Sequence, residues 1–269
     1  MSNVKQVLTI AGSDSGGGAG IQADLKTFQM RGVFGTSVIT AVTAQNTLGV
    51  FDIHPIPLKT IQAQLEAVKN DFQIASCKIG MLGNAEIIEC VADFLADKPF
   101  GVLVLDPVMI AKGGAPLLQQ QAVSALSQKL LPLADVITPN IPEAEALTGI
   151  AIVDDISIQQ AAKALQKQGA KNVIIKGGHS LNSQSGLCQD WVLLADGRHF
   201  TLQSPRFNTP HTHGTGCTFS ACLTAELAKG EPLQSAVKTA KDFITAAISH
   251  PLNIGQGHGP TNHWAYSRL

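Results

Sequence analysis

Aromatic side chains are scarce in this chain of 269 residues, at 5%, with two tryptophans and one tyrosine. Charge is also scarce, at 14% of residues with a net of −1. Proteins that bind nucleic acid stack bases on aromatics or present a basic face, so no nucleic-acid partner is expected. The uncharged run 32–51 is broken throughout by Gly, Ser, Thr, Gln and Asn, so no apolar run approaches the roughly 18 residues of a membrane span and no membrane partner is expected either. The apolar run Val7–Ala11 is too short for a secretory signal. The five cysteines are an odd number and none stands in a Cys-x-x-Cys pair. That pattern predicts free thiols in a reducing compartment, and hence a soluble, cytoplasmic protein.

Apolar residues, by contrast, make up 45% of the chain, enough for a large core. Short β-rich runs at 7–11, 37–41, 77–79, 102–106, 136–138 and 173–176 are almost continuously apolar, as parallel strands covered on both faces are. Helical spacing separates them: Ile61, Leu65, Val68 and Phe72 share one face, and Leu233 to Ile248 repeats the pattern after Pro232. The expected fold is therefore α/β, a mostly parallel central sheet flanked by helices on both faces. The runs 191–194 and 199–202 flank Asp196-Gly197, a hairpin signal that predicts a small antiparallel extension at one edge. With no repeat, linker or low-complexity segment, residues 1–269 read as a single domain.

Ligands of such sheets gather outside the carboxyl ends of the strands. Glycine-rich or polar segments fall there: 12–20, 80–83, Asp106, 140–143 and 177–179. Gly12 to Gly20 lacks a Lys-Ser/Thr ending and does not fit Gly-x-Gly-x-x-Gly, so it is neither a P-loop nor a dinucleotide turn. It is either a tight strand-to-helix turn or a loop of small residues against which a flat ligand lies. The strongest local signal is His211-Thr-His-Gly-Thr-Gly-Cys217, followed by an Ala-rich helix. A helix start favours an anion, and the N–H groups of Gly214, Gly216 and Cys217 would surround a phosphoryl group. The same position lowers a thiol pKa, suiting Cys217 to take a proton from an alcohol; the alternative is a buried structural cysteine. Asn140 is either a ligand-organising amide or a helix cap. Histidines 211, 213, 258 and 263 lack a companion cysteine or carboxylate at ligand spacing and read as packing or solvent-facing.

Taken together, Ala11–Phe28, Thr40–Thr47, Lys78–Leu82, Asp106–Met109, Pro139–Glu145, Lys176–His179, Thr212–Cys217 and Gly257–Pro260 resemble the hydroxymethylpyrimidine kinase/phosphomethylpyrimidine kinase family of the ribokinase-like superfamily. The likeness spans nearly the whole chain. It implies two ATP-dependent phosphorylations in thiamin biosynthesis. The first acceptor is 4-amino-5-hydroxymethyl-2-methylpyrimidine and the second is its monophosphate. By matching position, Gln45 would recognise the aminopyrimidine, and Gly12, Ala19, Asp24, Met81 and Val108 would shape the pocket around the ring. Cys217, Gly214, Gly216 and Lys176 would carry the transfer. Asp106, Asn140, Glu143, Lys176 and Thr215 would organise ATP, with Mg2+ held by Asp106 and Glu143 partly through water. A homodimer is implied as well. The chain departs from the family at Ala115, where an aspartate is frequent. Pyridoxal kinase is the near alternative; a nicotinamide-dependent oxidoreductase would need the absent dinucleotide turn, and a non-catalytic pyrimidine-binding regulator would not need Cys217, Asn140 and Glu143.

Overall fold

The computed structural model describes residues 4–109, 120–177 and 186–268. Ala115 with its segment 111–118, and Gly178 and His179, lie outside the described residues. Among the described residues, nine strands form one sheet in the order β3-β2-β1-β4-β5-β6-β7-β8-β9. The central six are parallel: β1 (Gln6–Asp14), β2 (Phe34–Asn46), β4 (Ile74–Ile79), β5 (Val102–Leu105), β6 (Val136–Ile137) and β7 (Asn172–Ile175). Their apolar runs are what two covered faces require. Val7, Leu8 and Ile10 have no solvent contact, and neither have Ile79, Val104 or Leu105.

Antiparallel strands close both edges. β8 (Leu187–Leu193) and β9 (His199–Pro205) form the expected hairpin. At the other edge β3 (Gly49–Pro55) pairs with the end of β2, a strand the sequence did not announce. Phe51 and Ile53 alternate with Asp52 and His54 as a strand does, but all four are exposed, so this alternation belongs to an uncovered edge and not to a core face.

Helices cover the two faces. α1 (Gly20–Met30), α7 (Thr215–Ala228) and α8 (Leu233–Ser249) pack on one side through Phe28, Phe219, Leu223 and Phe243. α2 (Leu58–Asp71), α3 (Ala85–Leu95), α4 (Gln120–Ala125), α5 (Ile141–Thr148) and α6 (Asp155–Lys167) pack on the other through Leu65, Ile88, Ala144 and Leu165. Local chemistry starts several of them. Asn84 caps α3, and capping boxes open α5 (Asn140 with Glu143) and α6 (Asp154 with Ser157). α7 has no side-chain cap at all. It begins at the carboxyl ends of the parallel strands, where a cavity of about 920 Å³ opens.

Candidate active site

Gly214 is the N-cap of α7 and sits at φ 83°, the left-handed region that glycine adopts freely. A Cβ at this position would also collide with the Gly18 carbonyl. Its own carbonyl accepts from Thr218 N–H at 2.8 Å, and Thr212 O accepts from Thr215 N–H and Oγ1. Gly214 thus makes the turn, and it lines the cavity together with the other two expected donors. The first-turn N–H groups of Gly216 and Cys217, which a helix cannot satisfy internally, stand at the cavity wall.

The cysteine corrects an expectation. Burial pushes the Cys217 thiol up to about 11, against the Lys78 ammonium and the Gly20 N–H that favour its thiolate. A helix start is worth roughly 0.3–1 kcal/mol to an exposed anion, whereas burying an ion costs several kcal/mol. Desolvation wins, and the dipole alone does not lower this pKa.

Beside the helix start lies a lysine–aspartate pair. Lys176 Nζ donates to Asp106 Oδ1 at 2.9 Å, and Asp106 also accepts from Thr138 Oγ1 at 3.2 Å and Ser220 Oγ at 3.1 Å. Burial would raise the Asp106 carboxyl, but Lys176 and Lys78 hold it below its ordinary range. A Cβ on Gly216 would lie 3.3 Å from Lys176 Nζ, so ammonium and helix start face one point. Asn140 and Glu143 reach the same wall while capping α5: Asn140 Oδ1 accepts from Glu143 N–H at 2.9 Å, and Glu143 Oε2 accepts from Asn140 N–H at 2.8 Å. Burial pushes Glu143 up to about 7, against the pull of Lys176 and with the push of Asp106. Among the described residues no three His, Cys, Asp or Glu side chains cluster as a metal site. Two carboxylates suffice for Mg2+, however, which keeps waters and takes phosphate oxygens.

The opposite wall is made by β1, β2 and the turns after β4 and β5. Gly12, Ala19, Gln45, Met81 and Val108 all line it. A Cβ on Gly12 would meet the terminal methyl of Met81, which would have to turn aside. A β-bulge between Ala44 and Gln45 re-aims the Gln45 side chain. Asp24 is the exception among the expected pocket residues. It has no solvent contact and lies beneath the wall, accepting from Lys78 Nζ and Thr9 Oγ1, each at 2.6 Å. Burial works against both charges and pushes Asp24 up, while Asp24 holds Lys78 above its ordinary range. It is Lys78 that lines the cavity. The sequence signal for it was a lysine inside the apolar run of β4.

Asp14 and His213 were likewise missed as a unit. Asp14 accepts from the N–H groups of Gly16 (2.8 Å), Gly18 (3.0 Å) and Ala19 (2.8 Å), and from His213 Nε2 at 2.8 Å. Burial pushes Asp14 up, but His213 and these N–H groups outweigh it and hold the carboxyl below its ordinary range. The glycine-rich loop thus encloses its own carboxylate rather than a phosphate. His213 is anchored through its backbone to the chain's last turns: Gly259 O accepts from His213 N–H, and His213 O from Thr261 N–H. His263 is buried against Thr218, which pushes its imidazole down to about 4.

Among the described residues, a helix start beside an ammonium faces a wall of small and apolar groups across one cavity, an arrangement that suits a small-molecule phosphotransferase. The sequence profile of the phosphomethylpyrimidine kinase family matches residues 14–262, and the chain belongs to that family. It is 98% identical, over the full length of both chains, to the hydroxymethylpyrimidine/phosphomethylpyrimidine kinase of Haemophilus influenzae. It is 51% identical to the thiamine biosynthesis bifunctional protein of Geobacter sulfurreducens, over 96% of this chain and 52% of that one. An ADP complex of Bacillus subtilis pyridoxal kinase superposes with a TM-score of 0.90 at 41% identity, covering 99% of this chain and 100% of that one.

Proposed function

We propose that the chain transfers the γ-phosphate of ATP twice in thiamin biosynthesis. The first acceptor is the hydroxymethyl group of 4-amino-5-hydroxymethyl-2-methylpyrimidine, and the second is the monophosphate so formed. One observation carries this reading: a single cavity joins the α7 start, Cys217 and the Lys176–Asp106 pair to Gln45 on the facing wall. ATP as donor is supported by the ADP complex of the structural relative.

Phosphoryl transfer needs positioning and charge neutralisation more than covalent help. The acceptor oxygen attacks the γ-phosphorus, the bond to the β-bridging oxygen breaks, and ADP leaves. The N–H groups of Gly216 and Cys217, with Thr215 beside them, hold the charge that grows on the transferred group. Lys176 offsets phosphate charge. Asp106 and Glu143, with Asn140 fixing Glu143, would hold Mg2+ partly through water. The metal, when bound, screens the phosphates from each other and from these carboxylates. The alcohol's proton goes to Cys217 in the first step. In the second step the acceptor is already an anion and needs little help. Gln45 presents a donor and an acceptor to the exocyclic amine and ring nitrogen, with Gly12, Ala19, Met81 and Val108 around the ring and Asp24 supporting Lys78 from below.

The likeness to a pyridoxal kinase favours pyridoxal as a side substrate, and comparing kcat/KM for the two alcohols ranks them. A homodimer belongs to the proposal, supported by apolar exposure on the β2–β3 hairpin: Leu48 is 62%, Phe51 68% and Ile53 39% exposed. So do a cytoplasmic location, which five free thiols suit, and the reading of residues 1–269 as one kinase domain. An ATP-dependent assay on the aminopyrimidine alcohol, with products separated by mass, tests the central claim. Monophosphate appearing first and diphosphate after it is expected; neither product would overturn the reading.

A further inference from the structure

Three segments meet at the imidazole of His213. Its Nε2 lies 2.8 Å from Asp14 Oδ2 and 3.5 Å from the atom of the Gln45 amide placed as Nε2. Gln45 is held from its other side by Thr43, whose Oγ1 is 3.2 Å from the amide atom placed as Oε1 and 2.8 Å from Ser13 O; the hydrogen bonds favour the amide turned over relative to these placed atoms. Its backbone is held too: Ser15 Oγ accepts from Gln45 N–H and donates to Gln45 O, both at 2.7 Å.

The two ends of a glutamine amide are isosteric, so hydrogen count rather than shape decides which way it faces. A hydroxyl has one hydrogen. The Ser13 carbonyl, the nearer acceptor and one with no hydrogen to give, takes the hydrogen of Thr43. Thr43 therefore offers Gln45 only a lone pair, and the amide end that satisfies it is the NH2 group. On the other side Asp14 is a carboxylate, because four donors surround it. A carboxylate at 2.8 Å requires the hydrogen on His213 Nε2. A protonated Nε2 has no lone pair for an NH2 group to use, whereas an amide oxygen takes a minor share of the N–H that Asp14 accepts. Both neighbours thus select one orientation: amide oxygen toward His213, amide nitrogen toward Thr43.

We infer that Asp14, His213 and Thr43 are positioning residues that lock the Gln45 amide in one of its two orientations, and so decide which hydrogen-bond pattern the acceptor ring must carry. The inference rests on the reading of the site as a pyrimidine kinase. A locked amide keeps one free hydrogen and one free lone pair in fixed order. It matches a ring edge with an amino group beside an unprotonated nitrogen, and it opposes the 4-oxo analogue, whose oxygen and ring N–H present the reverse pattern. An amide free to flip would take either. A site built to hydrogen-bond its ligand rejects the mismatched one strongly because buried groups are then left unpaired.

The test uses the full chain and two ligands, the 4-amino alcohol as substrate and its 4-oxo analogue as competitive inhibitor. Wild type is expected to prefer the amino compound by about a hundredfold or more in KM against inhibition constant. His213→Leu and Thr43→Val should each cut that preference about tenfold, with the KM for ATP held within about twofold. His213→Gln, which keeps a donor at the Nε2 position, should restore most of it. Thr43→Val leaves the buried Asp14–His213 contact intact, so the question can be answered even if His213→Leu does not fold. Equal affinity of wild type for the two ligands, an unchanged preference in Thr43→Val, or equal weakening of both ligands overturns the inference. Absence of any phosphorylated pyrimidine with wild type overturns the functional reading beneath it instead, and the inference with it.

Discussion

At the scale of single residues, Cys217 and Glu143 are poised by burial rather than by their partners. A thiol pushed up to about 11 is protonated at neutral pH. Phosphorylation of the alcohol should therefore become faster as pH rises, with no levelling below about pH 10 in kcat/KM. Cys217→Ala should remove that rise and cost about a hundredfold on the alcohol, and markedly less on the monophosphate. Equal losses on the two acceptors would sink the assignment of Cys217 to the alcohol's proton. Glu143 binds its proton at about 7 when folded against 4.5 when exposed. The folded chain is thus favoured fully below pH 4.5, and that share of stability is lost as pH rises through 7. Glu143→Gln keeps the capping geometry and should flatten this decline in thermal midpoint between pH 4.5 and 7. His263, pushed down to about 4, tilts the curve the other way, so the difference between variant and wild type isolates Glu143.

At the scale of elements, α7 depends on its first turn. Gly214→Ala combines a left-handed backbone, worth about 1–2 kcal/mol against any side chain, with a collision against the Gly18 carbonyl. A loss of several kcal/mol in denaturant unfolding is expected, together with loss of transfer; a change below about 0.5 kcal/mol, the range of a neutral surface substitution, would contradict the packing described. Much of this element was legible in advance, because glycines before an Ala-rich stretch mark a helix start and parallel strands advertise themselves as apolar runs. β3 was not legible, since its alternation, Phe51-Asp52-Ile53-His54, lasts only four residues. Nor was the depth of Asp24 and Lys78, because a carboxylate and a lysine 54 residues apart give no sign of being paired. His213 was discounted for want of a metal partner, when its partner was the carboxylate of Asp14.

At the scale of the whole molecule, one sheet runs from β3 to β9, and among the described residues Gly12, Met81, Asp106, Asn140 and Lys176 line one cavity. Calorimetry should show one unfolding transition for residues 1–269; two separated transitions would divide the domain. The exposed β2–β3 hairpin is where assembly would show. Phe51→Glu should convert a dimer to a monomer in sedimentation, with the thermal midpoint of the protomer little changed because Phe51 is 68% exposed. A wild-type chain that sediments as a monomer at micromolar concentration would remove the dimer from the proposal.

The carboxylate enclosed by the glycine-rich loop bears on how the acceptor is met. Flexible glycine loops around anions usually become ordered only when the ligand arrives, and affinity is reduced by that ordering. Here Asp14 is a tethered anion that never leaves, so the loop takes its shape during folding. Acceptor binding should therefore proceed without a slow conformational phase, near the rate set by encounter.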